Sequence, residues 1–467
     1  MVLHRFRGLL LFLFKSEAHR KMKHRRSIGN YLRPVQIITM GFAGLILVGA
    51  ALLCLPFATV SGKSAGFFSA LFTSTSASCV TGLIVHDTAS YWSFWGQLII
   101  LLLIQIGGLG VVTMAVAIHM ISGKKIGLGQ RSQMQQSISA PQIQGIVKLA
   151  RFIILSALAI EGIGAAALAP RLIPDYGIIK GIWFAIFHSV SAFCNAGFDL
   201  FGTAESPYVS LVGYRYDPVV NTVIMALIFI GGIGFLTWHD IRTHGFHIRR
   251  WRLQSKVSLL AAVVLLAGGF LYFFFAEFHT LPLGKRIWMA LFQSVTPRTA
   301  GFNTADQDAL SDAGTLVTTI LMMIGGSSAS TAGGIKTTTV VVMVCAAFAV
   351  FGMKKDVTVM NRRITENSIR SAGAIVFLYL TLQLLAAIII SLLEGLPILT
   401  CMYETASAIG TVGLTLGITP SLSPVSRLLL ILLMYVGRVG GLTLIFAMRS
   451  PNSSGSGRFL TEDIAVG

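Results

Sequence analysis

Cys79-Val80-Thr81-Gly82-Leu83 is the stretch on which the reading of the whole chain turns. It follows a short, weakly apolar segment, Phe67 to Ser78, that is too short to cross a bilayer. A strongly apolar segment begins soon after it, near Phe94. Three other stretches share these surroundings: Asn195-Ala196-Gly197-Phe198, Thr299-Ala300-Gly301-Phe302 and Thr411-Val412-Gly413-Leu414. Each has one glycine among small and apolar residues, between a half-span and a full span. The glycines are 115, 104 and 112 residues apart, a period that marks four internal repeats.

Composition sets the solvent. The 467 residues are 54% hydrophobic and only 12% charged, with a mean hydropathy of +0.77. A soluble domain carries about 25% charged residues, so this composition reads as a membrane protein. The net charge of +18 would also suit a nucleic-acid binder, but the placement of the charges argues against that. Nine of 36 Lys and Arg lie in residues 1–34, and five lie in each of three clusters near 124–151, 242–256 and 354–370. With an even number of spans between clusters, all of them fall on one side. The positive-inside rule then places both termini and the clusters in the cytosol of a multi-pass protein. The basic N-terminal arm has no cleavage site and suits the inner leaflet or a cytosolic partner. Cys54, Cys79, Cys194, Cys345 and Cys401 show no metal or pairing spacing.

Apolar segments long enough to span run near 35–58, 94–121, 147–170, 218–240, 256–278, 312–351, 371–394 and 424–447. Half-spans lie near 66–78, 180–193, 284–297 and 397–409. Two full spans per unit return the chain to its starting side, so the units are parallel rather than inverted. The expected fold is an all-α integral membrane protein: four parallel span–pore helix–span repeats in a pseudo-fourfold arrangement around a central ion pore. Residues 1–34 form a basic cytosolic arm, 35–123, 124–245, 246–355 and 356–448 the four repeats, and 449–467 a cytosolic tail. The half-spans agree in register, reading Phe72-Thr73-Ser74, Phe187-His188-Ser189, Phe292-Gln293-Ser294 and Tyr403-Glu404-Thr405. The second spans agree through Gly107-Gly108-Leu109-Gly110, Gly231-Gly232-Ile233-Gly234, Gly325-Gly326-Ser327-Ser328 and Gly437-Arg438-Val439-Gly440. The second unit is longer by a polar loop around Tyr208 to Asp217.

Non-helical backbone at membrane depth is tolerated only where it lines water or is buried in protein. Four such segments around one axis can replace the hydration shell of a cation with carbonyl oxygens. Glycine lets the backbone come close to that axis. The expected ion-binding residues are Cys79, Val80, Thr81, Gly82; Cys194, Asn195, Ala196, Gly197; Arg298, Thr299, Ala300, Gly301; and Gly410, Thr411, Val412, Gly413. Thr81 and Thr411 would add hydroxyls to the ring where Ala196 and Ala300 do not. The plainer alternative is that these glycines serve only close helix packing.

The third unit carries Gly325, Gly326, Ser327, Ser328, Ala329, Ser330, Thr331, Ala332, Gly333 and Gly334, then Lys336. Its glycines cost about 1 kcal/mol each in a helix, and its hydroxyls can satisfy freed backbone groups. A broken helix with an occluding loop is expected there, against the simpler reading of a packing kink. Arg438 stands where other units have glycine and should face the axis, raising the barrier to a cation and donating to the loop. Lys336, likewise a charge inside an apolar span, is a functional candidate counted with the gate, against the plainer reading that it snorkels toward the cytosolic side. Glu404 is expected to bind backbone amides behind the ring, and Glu161 to have a buried partner. Asp87, Asp199, Asp306, Asp308 and Asp312 would make an acidic mouth, or be solvated loop acids. No HExxH, P-loop or strand-led GxGxxG is present, so no enzyme is indicated.

These motifs, with Gln105-Ile106-Gly107-Gly108-Leu109-Gly110, Phe193 to Phe198, Thr296 to Asn303 and Ser330 to Lys336, resemble the Trk, Ktr and HKT potassium transporters, specifically the membrane subunit of bacterial Ktr systems. The resemblance covers about residues 35–447. It implies a place in the bacterial plasma membrane, K+ uptake through one pore per subunit, Na+ as a candidate activator, a gating loop in the third unit and an arginine in the last inner helix. It further implies a homodimer on a cytosolic ring of nucleotide-binding regulatory subunits of the RCK fold, with no nucleotide held by this chain. Sodium-preferring plant relatives have serine at the first glycine, so Gly82 points to potassium. The alternatives are a sodium or weakly selective cation pathway, and a non-conducting membrane assembly or sensor subunit.

Overall fold

The structure, a computed structural model, describes residues 34–111, 113–114, 131–132, 135 and 145–448. The N-terminal arm, most of the first basic link and the C-terminal tail lie outside the described residues. Among the described residues, four helices are each long and apolar enough to cross a bilayer: α1 (Pro34–Leu53), α4 (Ile146–Tyr176), α8 (Leu253–Tyr272, prolonged by a π-turn over Phe273–Glu277) and α12 (Glu366–Glu394). Each precedes a half-span helix: α2 (Phe67–Cys79), α5 (Ile178–Phe193), α9 (Leu283–Val295) and α13 (Ile398–Gly410). Then follow α3 (Phe94–Leu109), α6 (Pro218–Gly232) with α7 (Phe235–His244), α10 (Asp312–Met323) with α11 (Thr337–Phe351), and α14 (Pro424–Val439) with α15 (Gly441–Met448).

The boundaries follow local chemistry. α1 ends at Leu53, short of the expected 58, because Pro56 redirects the chain into a 3-10 turn. α4 runs longer than expected, through Pro170 and Pro174 to Gly177, whose positive φ of 80° caps it. Asp217, Ser93, Ser311 and Ser423 accept from first-turn amides and start α6, α3, α10 and α14. A tight hairpin pairs β1 (Thr358–Val359) with β2 (Arg362–Arg363) between α11 and α12.

The second spans need correction. The sequence suggested one broken helix, in the third unit, yet helices of the second and fourth units also turn sharply. α6 and α7 meet at 92°, and α14 and α15 at 91°. α3 likewise stops at Gly110. Gly110, Gly234 and Gly440 have φ of 89°, 94° and 92°, values an L side chain rarely adopts, so glycine at these positions ends the helix. The third unit lacks that glycine and has the longer interruption of residues 324–336.

The packing closes on itself. α3 packs on α5, α6 on α9, α10 on α13, and α14 on α2. Each second-span helix therefore touches the half-span helix of the next unit, and the fourth returns to the first.

Candidate ion-binding site

The half-span helices α2, α5 and α13 end in the same hydrogen-bonded turn. Thr81, Ala196 and Val412 donate their N–H to the carbonyls of Ser76, Ser191 and Ser407, at 2.8, 2.7 and 2.8 Å. Val80, Asn195 and Thr411 donate three residues back, to Ala77, Ala192 and Ala408. This is the Schellman turn, whose left-handed position is normally glycine. Here it holds Val80 (φ 58°), Asn195 (φ 58°) and Thr411 (φ 51°); in the third unit Thr299 (φ 65°) is left-handed too. Three of the four are β-branched, for which this conformation is a genuine outlier, costing roughly 1–3 kcal/mol each. The strain recurs at one position of every unit, two residues before the glycines at Gly82, Gly197, Gly301 and Gly413.

Two residues on, Gly82, Gly197, Gly301 and Gly413 have φ of 93°, 68°, 79° and 96°. A Cβ on Gly82 would lie 2.5 Å from the Ala196 carbonyl oxygen, and one on Gly197 would lie 2.8 Å from that of Ala300. A Cβ on Gly301 would strike the Val412 oxygen, and one on Gly413 the Thr81 oxygen. Each glycine thus abuts the carbonyl that precedes the next unit's glycine, in the order one, two, three, four, one. The main-chain oxygens of Thr81, Ala196, Ala300 and Val412 are gathered into one small ring that admits no side chain.

The register of the hydroxyls differs from expectation. Thr411 is the counterpart of Val80, Asn195 and Thr299, and Val412 that of Thr81. The Thr411 hydroxyl lies against Gly333, so Thr81 alone supplies a hydroxyl at the position before the glycine. Cys79 and Gly410 are the last residues of α2 and α13, and Cys194 caps α5. The Arg298 guanidinium turns away to the carbonyls of Ala262 and Gly325, while its own carbonyl accepts from Asn195 Nδ2 at 3.3 Å. Only its backbone is near the ring.

Side-chain hydrogen bonds made by the half-span helices hold the ring, and the sequence reading saw only part of this. Ser74, Ser189 and Ser294 donate to Ile46, Glu161 and Leu266, 28 residues earlier in each case, at 2.7, 2.6 and 2.6 Å. Gly49, Gly164 and Gly269 make room for these hydroxyls: a Cβ on any of them would collide with the serine Oγ. The fourth unit departs, since Thr405 bonds within its own helix and Gln383 Nε2 reaches the Met402 carbonyl at 3.2 Å. Further along, Ser76 and Ser407 accept from the amides of Gly82 and Gly413, both at 3.0 Å. Ser191 and Thr296 instead donate to the carbonyls of Phe198 and Phe302. The recurring distance from hydroxyl to glycine was the signal available for these residues.

In the second, third and fourth units the polar residue after the aromatic holds the segment that leaves the ring. His188 Nε2 accepts from Leu200 N at 3.1 Å, and Gln293 pairs with Gln307 at 2.8 and 3.1 Å. Glu404 accepts from Leu416 N at 3.2 Å, from Thr419 at 3.0 Å and from Thr415. It thus holds the Leu416 amide and two hydroxyls of the segment that follows Gly413. Glu161 accepts from Gln105 at 3.1 Å, with Cys194 Sγ 3.9 Å away.

Residues 324–336 lie against the side of the ring where the half-span helices end. Their two ends are zipped together by Gly325 N to Ile335 O at 2.9 Å and Ile335 N to Met323 O at 3.3 Å. Ser327 N donates to Gly232 O at 3.0 Å, and Ala329 O accepts from Phe235 N at 2.6 Å. Thr331 Oγ1 donates to Phe193 O at 3.2 Å. Gly333 sits on Thr411 and Gly334 on Gly410. The segment thus spans units two and four beneath the ring. Arg438 donates to Thr331 O and to the carbonyls of Gly107 and Gly108. Lys336 does not snorkel: its Nζ donates to Ala332 O at 2.6 Å. Among the described residues neither cation has an acidic partner, so both rest on carbonyl oxygens. A cavity of about 320 Å³, lined by Gly108, Gly110, Ala332, Gly334, Lys336 and Arg438, opens on the far side of the segment.

On the other face, the acidic mouth divides. Asp306, Asp308 and Asp312 are exposed, whereas Asp87 and Asp199 are buried and bind loop amides. His86, stacked on Tyr91 with ring centroids 4.0 Å apart, has its pKa lowered by burial and by the nearby Arg427.

The family model described as TrkH, cation transport protein, matches residues 6–456. The chain belongs to the TrkH family of cation transport proteins. It is 40% identical over 454 residues to the potassium/sodium uptake protein NtpJ of Enterococcus hirae, covering 95% of this chain and 99% of that protein. It is 39% identical over 427 residues to the Ktr system potassium uptake protein B of Bacillus subtilis, covering 90% of this chain and 94% of the relative. In fold, this TrkH-family chain matches the potassium transporter TrkH of Vibrio parahaemolyticus with a TM-score of 0.70 at 20% identity, over 91% of this chain and 86% of that one. The family comprises membrane transporters rather than enzymes, in line with the absence of a catalytic motif.

Proposed function

We propose that this TrkH-family chain is the ion-conducting membrane subunit of a Ktr-type potassium uptake system. In this reading four parallel span–pore helix–span units surround one pore, and K+ is dehydrated by the carbonyls of Thr81, Ala196, Ala300 and Val412. The observation that carries it is the cyclic contact of Gly82, Gly197, Gly301 and Gly413, each against the next unit's carbonyl. Replacing hydration water with fixed oxygens is how a pore distinguishes cations, and a ring without side chains leaves room only for an ion. The names of the Enterococcus and Bacillus relatives, both uptake proteins for potassium, point the same way.

Residues 324–336 act as the gate, held shut beneath the ring by Arg438 and Lys336, whose charges also oppose a cation in the cavity below. The pore helices direct their C-terminal ends, which carry partial negative charge, toward the ring. Two such chains form a homodimer on a cytosolic nucleotide-binding ring of the RCK fold, a partnership for which the relative's membership of a Ktr system argues. Both termini face the cytosol and the protein resides in the plasma membrane.

Flux of K+ and Na+ into liposomes holding the purified chain tests this. Potassium should be favoured, and Gly82→Ser should shift preference toward sodium. Equal flux of both ions in the wild type would favour a second reading, a shared potassium and sodium pathway, which the Enterococcus relative's name supports. No flux of either ion, with or without the regulatory ring, would leave a non-conducting subunit.

A further inference from the structure

In the second, third and fourth units, the polar residue in the middle of the half-span helix clamps the segment leaving the ring. His188 and Glu404 each accept the amide 12 residues ahead, those of Leu200 and Leu416. Gln293 pairs with Gln307. The first unit breaks the pattern. Its residue at this position is Thr73, whose short side chain leaves Oγ1 buried without a hydrogen-bond partner. Twelve residues on from Thr73 is Val85, and the Val85 carbonyl accepts from the hydroxyl of Tyr208 at 2.9 Å.

Tyr208 belongs to the second unit, in the stretch that makes that unit longer than the others. Its amide donates to Asp87 Oδ1 at 3.0 Å, and Asp87 also accepts from Ser90 N at 2.9 Å. Gly202 lies so close to the Asp87 carboxylate that a Cβ there would collide with it. Two residues beyond Tyr208, Ser210 Oγ accepts from Asn303 N at 3.1 Å, and Leu211 N donates to Asn303 O at 3.0 Å. Asn303 follows Gly301 and Phe302 at the start of the third unit's exit segment. Tyr208 and Ser210 are both left-handed, with φ of 63° and 49°, a conformation that non-glycine residues hold only where the surroundings fix it. The strap is thus pinned at one end to the first unit and at the other to the third.

We propose that Tyr208 is a positioning residue for the first quarter of the ion-binding ring, supplying from the neighbouring unit the clamp that Thr73 cannot make. The inference rests on the reading of that ring as a filter. By fixing Val85 and Asp87, the strap fixes the chain that carries the Gly82 backbone and the Thr81 carbonyl. Tyr208 does not touch the ion. It sets how far the first-unit oxygen can relax toward a smaller cation.

The test is the ratio of potassium to sodium flux for the full-length chain in liposomes, with the melting temperature measured in parallel. Tyr208→Phe removes one hydroxyl and keeps the ring packing. It should lower the ratio by about three- to tenfold, as expected for one lost hydrogen bond, with little change in melting temperature. Adding Thr73→Gln, which restores a reaching polar group on the first half-span helix, should recover most of the ratio. Tyr208→Phe with an unchanged ratio, or a double variant no better than the single one, would overturn the proposal. A fall in melting temperature with the ratio unchanged would overturn it too, reducing Tyr208 to a structural strut. The reading of the ring fails separately: in that case the wild type is itself unselective, or Gly82→Ser leaves its selectivity unaltered.

Discussion

Arg438→Ala should open the pathway. Arg438 donates to Thr331 in the 324–336 segment and, through its other guanidinium nitrogen, to Gly107 and Gly108 at the end of α3. It therefore staples the gate to the first unit. A hydrogen bond from a charged donor contributes roughly 1.5–3 kcal/mol. Losing the one to Thr331 should shift the closed-to-open balance by roughly 10- to 150-fold, since about 1.4 kcal/mol is a factor of ten. The rise in flux follows that shift until the open state dominates. Rubidium uptake into liposomes holding the chain alone reads it directly. Arg438→Lys separates the two roles of the side chain, because lysine keeps the charge but cannot fork between Thr331 and α3. The staple predicts flux for the lysine variant near that of alanine. Wild-type flux in the lysine variant, with high flux in alanine, would mean that charge alone sets the barrier and would refute the tether. Unchanged or reduced flux for alanine, in protein with wild-type melting behaviour, would refute both.

Removing Gly325 to Gly334 should raise flux as well, and combining the deletion with Arg438→Ala should add little, since both act on one contact; additive effects in a double-mutant cycle would place Arg438 elsewhere. Gly164→Ala should destabilise by about 1–3 kcal/mol, because its Cβ would meet Ser189 Oγ and the Leu227 methyls, whereas Gly162→Ala, with open space around it, should be neutral; equal melting temperatures would deny the serine–glycine tether. Glu404→Leu should cost more than Glu404→Gln, since leucine strands the Leu416 amide and the Thr415 and Thr419 hydroxyls, each roughly 1–3 kcal/mol if left unpaired; parallel thermal melts of the two variants check this.

The mostly helical fold with apolar, membrane-compatible helices was legible because it is written in composition. Apolar runs of two lengths, and glycine at a steady interval, survive as sequence signals. The period also points to Gly82, Gly197, Gly301 and Gly413, where a positive φ beside a neighbouring carbonyl favours the residue without a Cβ. The right-angle turns at Gly234 and Gly440 were not legible, because one glycine in an apolar run is equally compatible with a continuing helix. What breaks α6 and α14 is the conformation at those glycines, with the freed backbone satisfied by partners distant in sequence, such as Ala329 O for Phe235 N. Pairing Thr411 with Thr81 matched residue type rather than distance to the glycine: Thr81 is one residue before Gly82, whereas Thr411 is two before Gly413 and shares the left-handed conformation of Val80. For Lys336 the plainer reading, snorkelling, fails because the carbonyls exposed by its own broken helix offer a nearer partner, which no sequence pattern shows. The Tyr208 strap is a relation between units, which periodicity within a unit cannot express.

The central claim is that main-chain oxygens from four units share one dehydrated cation. Crystals of the chain grown in thallium or rubidium, with anomalous scattering recorded, put it to the most direct test. The account predicts a peak on the axis within bonding distance of the Thr81, Ala196, Ala300 and Val412 oxygens, lost in Gly82→Ser. A ring without density, with the heavy cation bound at side-chain carboxylates instead, would contradict it.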